Sequence, residues 1–199
     1  MTPDMPMALR DGMGPWLGVV IGIGLAAAAG FRVFVPFLVV ALAARAQLVP
    51  LSPGFDWVAS TPALAAFATA TFLEVLAYSI PWVDHALDIV ATPAALVAGV
   101  LASAAVMTDL PPVLKWSIAL IAGGGTAGVV QGATVLARLK SAVTTAGAAN
   151  PLVAGAEFLG SIATALFAIF LPVLGLALVI TLCAILFRKS RRFVFGRRG

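Results

Sequence analysis

The chain has 199 residues, of which 62% are hydrophobic and only 10% are charged, and its mean hydropathy is +1.10. An ordinary soluble domain carries about 25% charged residues, and a fold of this size cannot bury so much apolar surface in water. The composition excludes a soluble enzyme, a disordered chain and a nucleic-acid-binding domain. We therefore expect a multi-pass membrane protein whose main partner is the lipid bilayer.

The predicted elements are five long apolar segments. A membrane-spanning helix needs about 20 apolar residues, and the segments show no period-2 alternation, which favours an all-α polytopic membrane protein of five to six spans. The last segment is long enough for two helices broken around Pro172, and the first could be two half-helices broken near Gly30 and Pro36. The segments cover residues 16–46, 61–89, 92–108, 113–140 and 152–187.

A basic tail follows the last segment. Six of the twelve Lys and Arg residues lie in residues 188–199, and the net charge is +4. Positive residues beside an apolar segment are typical of the cytoplasmic side, so we predict a cytoplasmic C-terminus. Five crossings would then place the N-terminus outside and six would place it inside. Arg138 and Lys140 weigh against five, because that count leaves them outside.

The chain is predicted to form a single transmembrane domain, 1–199, in which two stretches resemble each other. These are 14–90 and 113–187, with 92–108 as a linker span between them. Because an odd number of spans, here one, separates the halves, the second half has the opposite orientation to the first in the membrane. This is the arrangement of inverted-topology repeats with broken or re-entrant helices. The alternative is a chance similarity between helices rich in alanine and glycine.

Two rows of glycines at four-residue spacing strengthen the resemblance between the halves. Small residues at this spacing let helices approach closely in lipid, within one chain or between copies. We predict helix packing through these rows, and a homo-oligomer. The rows consist of Gly14, Gly18, Gly22, Gly124, Gly128 and Gly132.

Three ionisable residues lie well inside the apolar segments, away from the charged residues near the segment ends: Arg32, Glu74 and Glu157. Each costs about 2.5–3.5 kcal/mol on insertion scales, so each needs a partner or a function. Arg32 lies between Gly30 and Pro36, where a broken helix could line a cavity. It could pair with Glu74 or Glu157, bind an anionic substrate, or form a purely structural ion pair.

A second polar group follows Trp82. Asp84 and Asp88 share a helix face at i, i+4 spacing, and the only histidine, His85, lies between them. Together with Glu74, Asp84 and Asp88 could form an acidic path for protons or cations. Asp84, His85 and Asp88 are also candidates for a divalent metal site. The alternative is a helix end at the interface with solvated charges.

Four further polar residues are candidate binding groups in the second half. Gln131 lies in a glycine row, where its amide could hydrogen-bond across a helix pair. Thr144, Thr145 and Asn150 follow near the end of the same helix and the start of the next. For these three, turn and cap formation is the alternative interpretation.

Motifs of enzymes are missing from the sequence. It has no Gly-rich phosphate loop with a lysine, no HExxH motif, and no Ser–His–Asp set built on His85. The single cysteine, Cys183, forms no intrachain disulfide and no zinc cluster. We therefore expect no catalytic residues and no cofactor.

Several ordered motifs resemble one known family. They are the stretch from Gly30 to Pro36, Glu74 with residues 80–88, residues 91–95, the glycine row ending at Gly132, and residues 144–151. Together they resemble domain-of-unknown-function family 4126, which comprises multi-pass integral membrane proteins of bacteria. The resemblance covers residues 15–185 and implies the bacterial inner membrane, but it implies no substrate.

The three buried ionisable groups favour a small secondary transporter or channel for an ion or small solute, with a central polar site. One alternative is a lipid-handling protein of the scramblase-like or lipid-binding kind. Another is a non-catalytic structural or assembly subunit whose glycine rows contact a partner. We do not expect an enzyme.

Overall fold

The computed structural model describes residues 14–77, 81–145 and 148–195, with the side chains of all but 81–89 and 186–195. The described chain is helical and contains no strand. Its seven helices are α1 (Pro15–Phe31), α2 (Val35–Arg45), α3 (Thr61–Ala77), α4 (Pro81–Val106), α5 (Pro112–Thr145), α6 (Asn150–Phe170) and α7 (Pro172–Phe195).

Proline opens each of these helices. The ring fixes φ near the helical value, and its missing N–H is one that a helix start leaves unbonded anyway, so proline suits the first turn. In every case it occupies the first or second helical position. These residues are Pro15, Pro36, Pro62, Pro81, Pro112, Pro151 and Pro172.

The predicted break at Pro93 is wrong. The expected segments 61–89 and 92–108 are replaced by α3, which ends at Ala77, and α4, which begins at Pro81 and contains Pro93 in its interior. An internal proline removes one backbone hydrogen bond, and packed neighbouring helices can compensate for that loss. The supposed linker span is therefore the second part of a 26-residue helix.

Two helix breaks that the sequence offered as alternatives, one near Gly30 and Pro36 and one around Pro172, are confirmed. The first segment divides into α1 and α2 around residues 32–34, and the last divides into α6 and α7 at Leu171. Within α5, residues Ala119–Gly124 form a π-helical turn where the glycine row begins. The described chain thus has seven helices in place of five long segments.

Helix α1 lies at the centre of the bundle, and α4 packs along it in the opposite direction. Ser103 of α4 donates a hydrogen bond to the carbonyl of Gly22 at 2.8 Å. A Cβ atom at Gly18 would lie 2.7 Å from the carbonyl oxygen of Val106. Gly18 and Gly22 of the first glycine row therefore pack inside the chain.

Helix α6 also runs antiparallel to α1, on another side. Ser161 donates to the carbonyl of Ala28 at 2.9 Å, and Arg32 donates to the carbonyl of Ala154 at 2.9 Å. Because residue numbers fall along α6 as they rise along α1, the start of α6 lies beside the end of α1.

Helices α1 and α2 form a hairpin whose tip is residues 32–34. Helix α2 runs back along α3: Phe37 stacks on Phe67 with ring centroids 5.3 Å apart, and Arg45 donates to Thr61 Oγ1 at 3.1 Å. We call the end of the bundle where α1 begins end A, and the opposite end, where α7 ends, end B. The hairpin enters from end A and returns to it.

The bundle has an apolar exterior and a small-residue interior. Residues Leu25 to Ala29 are 0% exposed, whereas many Leu, Ile and Phe side chains of α5, α6 and α7 face outwards. By length and composition, two of the described helices, α5 and α6, are long and apolar enough to cross a membrane. Outward-facing side chains include Leu120, Ile121, Leu136, Leu152, Leu159 and Phe170.

Close packing at Gly18 predicts a difference between two glycines. Gly18→Ala should lower the free energy of unfolding by about 1–3 kcal/mol, because the new methyl group overlaps the Val106 carbonyl. At Gly132 a Cβ atom meets nothing within 4 Å, so Gly132→Ala should be neutral or add up to about 1 kcal/mol of helix propensity. Denaturant titration in mild detergent measures both; equal effects would contradict this packing.

Candidate functional site

Three charged side chains meet in the interior of the bundle. Arg32, Arg138 and Glu157, which we call the charge cluster, are 1%, 3% and 5% exposed. The Arg138 Nε atom donates to Glu157 Oε1 at 2.9 Å, and its Nη2 atom contacts Oε2. Arg32 Nη2 lies 3.4 Å from the same Oε2 atom. One carboxylate therefore binds two guanidinium groups.

The helix break places Arg32 in the cluster. Its N–H makes the last α1 hydrogen bond, to Ala28, and its backbone is then extended, with φ −146° and ψ 126°. The chain leaves the helix at this residue and turns into α2. The Arg32 side chain thus projects from the hairpin tip towards α6.

Glu74 of α3 binds the same tip from the other side. Its Oε1 atom accepts the N–H of Val33 at 2.9 Å, and its Oε2 atom accepts the N–H of Phe34 at 3.3 Å. These donors lie just before the start of α2, where a carboxylate also interacts favourably with the helix dipole. Of the two partners considered for Arg32, Glu157 forms the ion pair and Glu74 binds the backbone.

The other cluster members lie on polar faces of two adjacent helices. The polar residues of the buried α5 face are Gln131, Thr134, Arg138 and Ser141, each three or four residues from the next. The buried α6 face carries Asn150, Glu157, Ser161 and Thr164 at similar helical spacing. Polar side chains on buried faces of otherwise apolar helices are typical of an internal polar site.

Two buried atoms of the α5 face make no hydrogen bond within the described chain: Gln131 Nε2 and Ser141 Oγ. A buried polar group without a partner costs about 1–3 kcal/mol, and such groups usually bind ordered water or a ligand. The α5 face can therefore accommodate water or a solute on both sides of Arg138.

A cavity of about 270 Å³ adjoins Glu157. Its walls come from α1, α5, α6 and α7 and are mostly apolar, with Thr134 and Glu157 as the polar lining residues. Ala137 and Ala156 line it and are exposed at the outer surface, so the cavity opens between α5 and α6. Glu157 is the member of the charge cluster that lines this cavity.

Thr144 and Thr145 hydrogen-bond within the last turn of α5 and the loop after it. Thr144 donates to the carbonyl of Lys140 at 2.8 Å; Thr145 donates to that of Ser141 at 2.7 Å and accepts the N–H of Ala149 at 3.1 Å. Both threonines thus form the turn that ends α5.

Asn150 is buried as the first residue of α6. The side chains of Asp84, His85 and Asp88 lie outside the described residues, so the acidic path and the metal site stay predictions. Among the residues that were described, no group of three His, Cys, Asp or Glu side chains could hold a metal ion.

The second glycine row packs on α4. A Cβ atom would lie 2.8 Å from Leu96 Cδ2 at Gly128 and 3.0 Å from Val100 Cγ2 at Gly124. At Gly14, as at Gly132, a Cβ atom would meet no heavy atom within 4 Å. Four of the six glycines in the two rows thus pack against other helices of the same chain.

Arg138 belongs to the site, although its position in the sequence, close to Lys140 and to a loop, suggests a surface residue. The signal that could have found it is helical spacing, since Arg138 follows Gln131 by two turns and Thr134 by one. A row of polar residues on one face is expected to point inwards in an apolar environment.

The described chain is an all-helical bundle with a buried Arg–Glu–Arg cluster at the tip of a helical hairpin. It belongs to the family of the domain of unknown function DUF4126, whose model matches residues 19–192, nearly the whole chain. The match confirms the resemblance based on the sequence motifs. No curated protein and no solved structure matches the chain.

Proposed function

We propose that this protein is a multi-pass protein of the bacterial inner membrane that moves an ion or small solute through a central polar site. The observation that carries the proposal is the charge cluster. Two arginines and a glutamate, each at least nine-tenths buried, converge beside a cavity and two polar helix faces. In a bilayer, such groups are costly and mark ion or substrate pathways.

The arrangement of apolar residues supports the membrane location. A soluble protein would not expose this much Leu, Ile and Phe surface while burying Ala, Gly and charged groups. In our proposed topology, α3 to α7 make five crossings and α1–α2 is a re-entrant hairpin. Residues 188–195 of the basic tail form the last turns of α7 at end B, which is then cytoplasmic.

This topology removes the objection to five crossings. Gly175 of α7 packs against Phe167, and further along α7, Leu182 lines the same cavity as Glu157 near the start of α6. Helix α7 therefore runs back along α6 towards end B. Helix α5 also ends there, so Lys140 lies on the cytoplasmic side with the tail.

The proposed mechanism uses the hairpin tip as the moving part. Glu157 holds Arg32 from α6, and Glu74 holds the backbone of Val33 and Phe34 from α3. A proton or cation that neutralises either carboxylate would weaken its grip on the tip. The tip could then shift and change access to the cavity, as broken helices do in transporters of other folds.

Neutralising Glu74 tests this proposal. Glu74→Gln keeps one oxygen to accept a backbone N–H but removes the charge, so we expect it to abolish flux. The measurement is proton flux into liposomes containing the purified protein, driven by a potassium diffusion potential and followed with an entrapped pH dye, with solute entry followed by osmotic swelling.

The matched control is Asp109→Asn, which neutralises an exposed carboxylate at end A that accepts a hydrogen bond from Thr108. It should transport like the wild type. Wild-type flux no greater than that of empty liposomes, in both assays, would reject transport, and unchanged flux in Glu74→Gln would reject the role of this residue.

The cavity also favours the lipid-handling alternative. Its apolar walls and its opening between α5 and α6 would suit part of an acyl chain with a polar group near Glu157. A fluorescent-lipid scrambling assay with the same liposomes distinguishes the two proposals. Scrambling without ion or solute flux would favour lipid handling.

A further inference from the structure

A buried lysine at end A lies far along α5 from the charge cluster. Lys115 is 9% exposed, and its ammonium group donates a hydrogen bond to Ser52 Oγ at 2.8 Å. The ring centroids of Phe55 and Trp116 lie 5.8 Å and 5.7 Å from the same nitrogen atom. We call Lys115, Ser52, Phe55 and Trp116 the lysine cage. The proposed transport site does not use these residues.

The cage is held in place by the loop before α3. Ser52 is fully buried, and its N–H donates to the carbonyl of Ala105 at the end of α4 at 2.7 Å. Phe55 is also buried, with its ring 6.3 Å from that of Trp116. The position of the ammonium group is therefore fixed by α4, α5 and the loop together.

The positive charge of Lys115 has no nearby carboxylate within the described residues. None lies within 4.0 Å of the ammonium nitrogen, and the first turn of α5 contains no acidic residue. The helix dipole also disfavours a cation at this end. The two rings stabilise the cation, but an ammonium group has three donors and Ser52 accepts only one.

End A also bears the marks of a membrane interface. Trp16, Trp57 and Trp116 are 72%, 56% and 43% exposed there, and indole rings prefer the level of the lipid headgroups. A phosphate group at that level would meet an ordered ammonium group with two donors that no described residue accepts. Phosphate oxygens accept such charge-assisted hydrogen bonds well.

We infer that the lysine cage is a binding site for a phosphate oxyanion, supplied either by an anionic lipid headgroup or by free phosphate. The bound group would accept hydrogen bonds from Lys115 beside the Trp116 ring. The inference is independent of the proposed transport function, since it concerns the other end of the bundle.

The test compares Lys115→Gln with Lys140→Gln, which removes an exposed lysine near the other end of the same helix. Native mass spectrometry counts molecules of phosphatidylglycerol retained in mild detergent, and thermal unfolding is followed with phosphatidylglycerol, phosphatidylcholine or inorganic phosphate added. We expect about a tenfold loss of phosphatidylglycerol retention in Lys115→Gln, the effect of one charge-assisted hydrogen bond, and none in Lys140→Gln.

A second measurement avoids the variants in case Lys115→Gln fails to fold. Amine-reactive labelling of the wild-type protein should be slower at Lys115 in phosphatidylglycerol than in uncharged detergent, with Lys140 unchanged. If inorganic phosphate slows the labelling of Lys115 and phosphatidylglycerol does not, the site binds a free anion. Equal labelling of Lys115 with every additive would overturn the inference, as would equal lipid retention by both folded variants together with no protection of Lys115 by inorganic phosphate.

Discussion

Glu157→Gln is expected to destabilise the protein by about 3–5 kcal/mol, the usual cost of removing one partner from a buried ion pair. In the wild type, the guanidinium groups of Arg32 and Arg138 share the Glu157 carboxylate. The amide of the variant would turn an NH₂ group or a neutral oxygen towards them. The measurement is the free energy of unfolding in mild detergent.

Asp109→Asn provides the matched control for this loss. Asp109 is exposed, and its one hydrogen bond within the described residues comes from Thr108, so its neutralisation should change stability by less than about 1 kcal/mol. If Glu157→Gln were as stable as this control, the charge cluster would not hold the hairpin tip against α6.

Replacing the whole charge cluster by apolar residues should separate stability from transport. In Arg32→Met/Glu157→Leu/Arg138→Met, side chains of similar size fill the interior without buried charge, an exchange that is often neutral or stabilising by 1–4 kcal/mol. We expect the triple variant to be more stable than Glu157→Gln, by roughly 3 kcal/mol or more. Flux in liposomes should nevertheless be abolished, because the Arg32–Glu157 ion pair of the proposed mechanism is gone and Glu74 alone holds the tip.

The comparison has a built-in control in Lys140→Met, which removes an exposed charge from α5 and should leave flux unchanged. A triple variant that transports like the wild type would show that the cluster is a structural clamp, and the transport proposal would lose its main support. A triple variant without flux but with wild-type stability would show that the protein retains these charges for function.

The breaks in the helices were predictable because their signals are local. Gly30 and Pro36 flank the hairpin tip, and Pro172 opens α7, so the sequence alone marks both positions. The start of α4 was harder to place. Pro81 and Pro93 both look like helix starts, and which of them is tolerated inside a helix depends on packing against neighbouring helices.

The members of the site were only partly predictable for a different reason. The cost of burying Arg32 and Glu157 is visible in the sequence, but the choice of partner depends on which helices meet. Arg138 lies close to Lys140 and to a turn, which suggests a surface position, yet it faces α6. The lysine cage was missed because Ser52, Phe55 and Lys115 come from separate segments.

The hairpin tip also has a consequence for biosynthesis. Arg32 is bound by α6, and the carbonyl that accepts its hydrogen bond lies 122 residues further along the chain. At 5–20 residues per second, roughly 6–24 seconds of translation separate the arginine from this partner. In the proposed topology, the emerging α1–α2 hairpin stays near the headgroups or beside the insertion machinery during that interval. The contact of Arg32 with α6 thus forms only after the last third of the chain has begun to emerge.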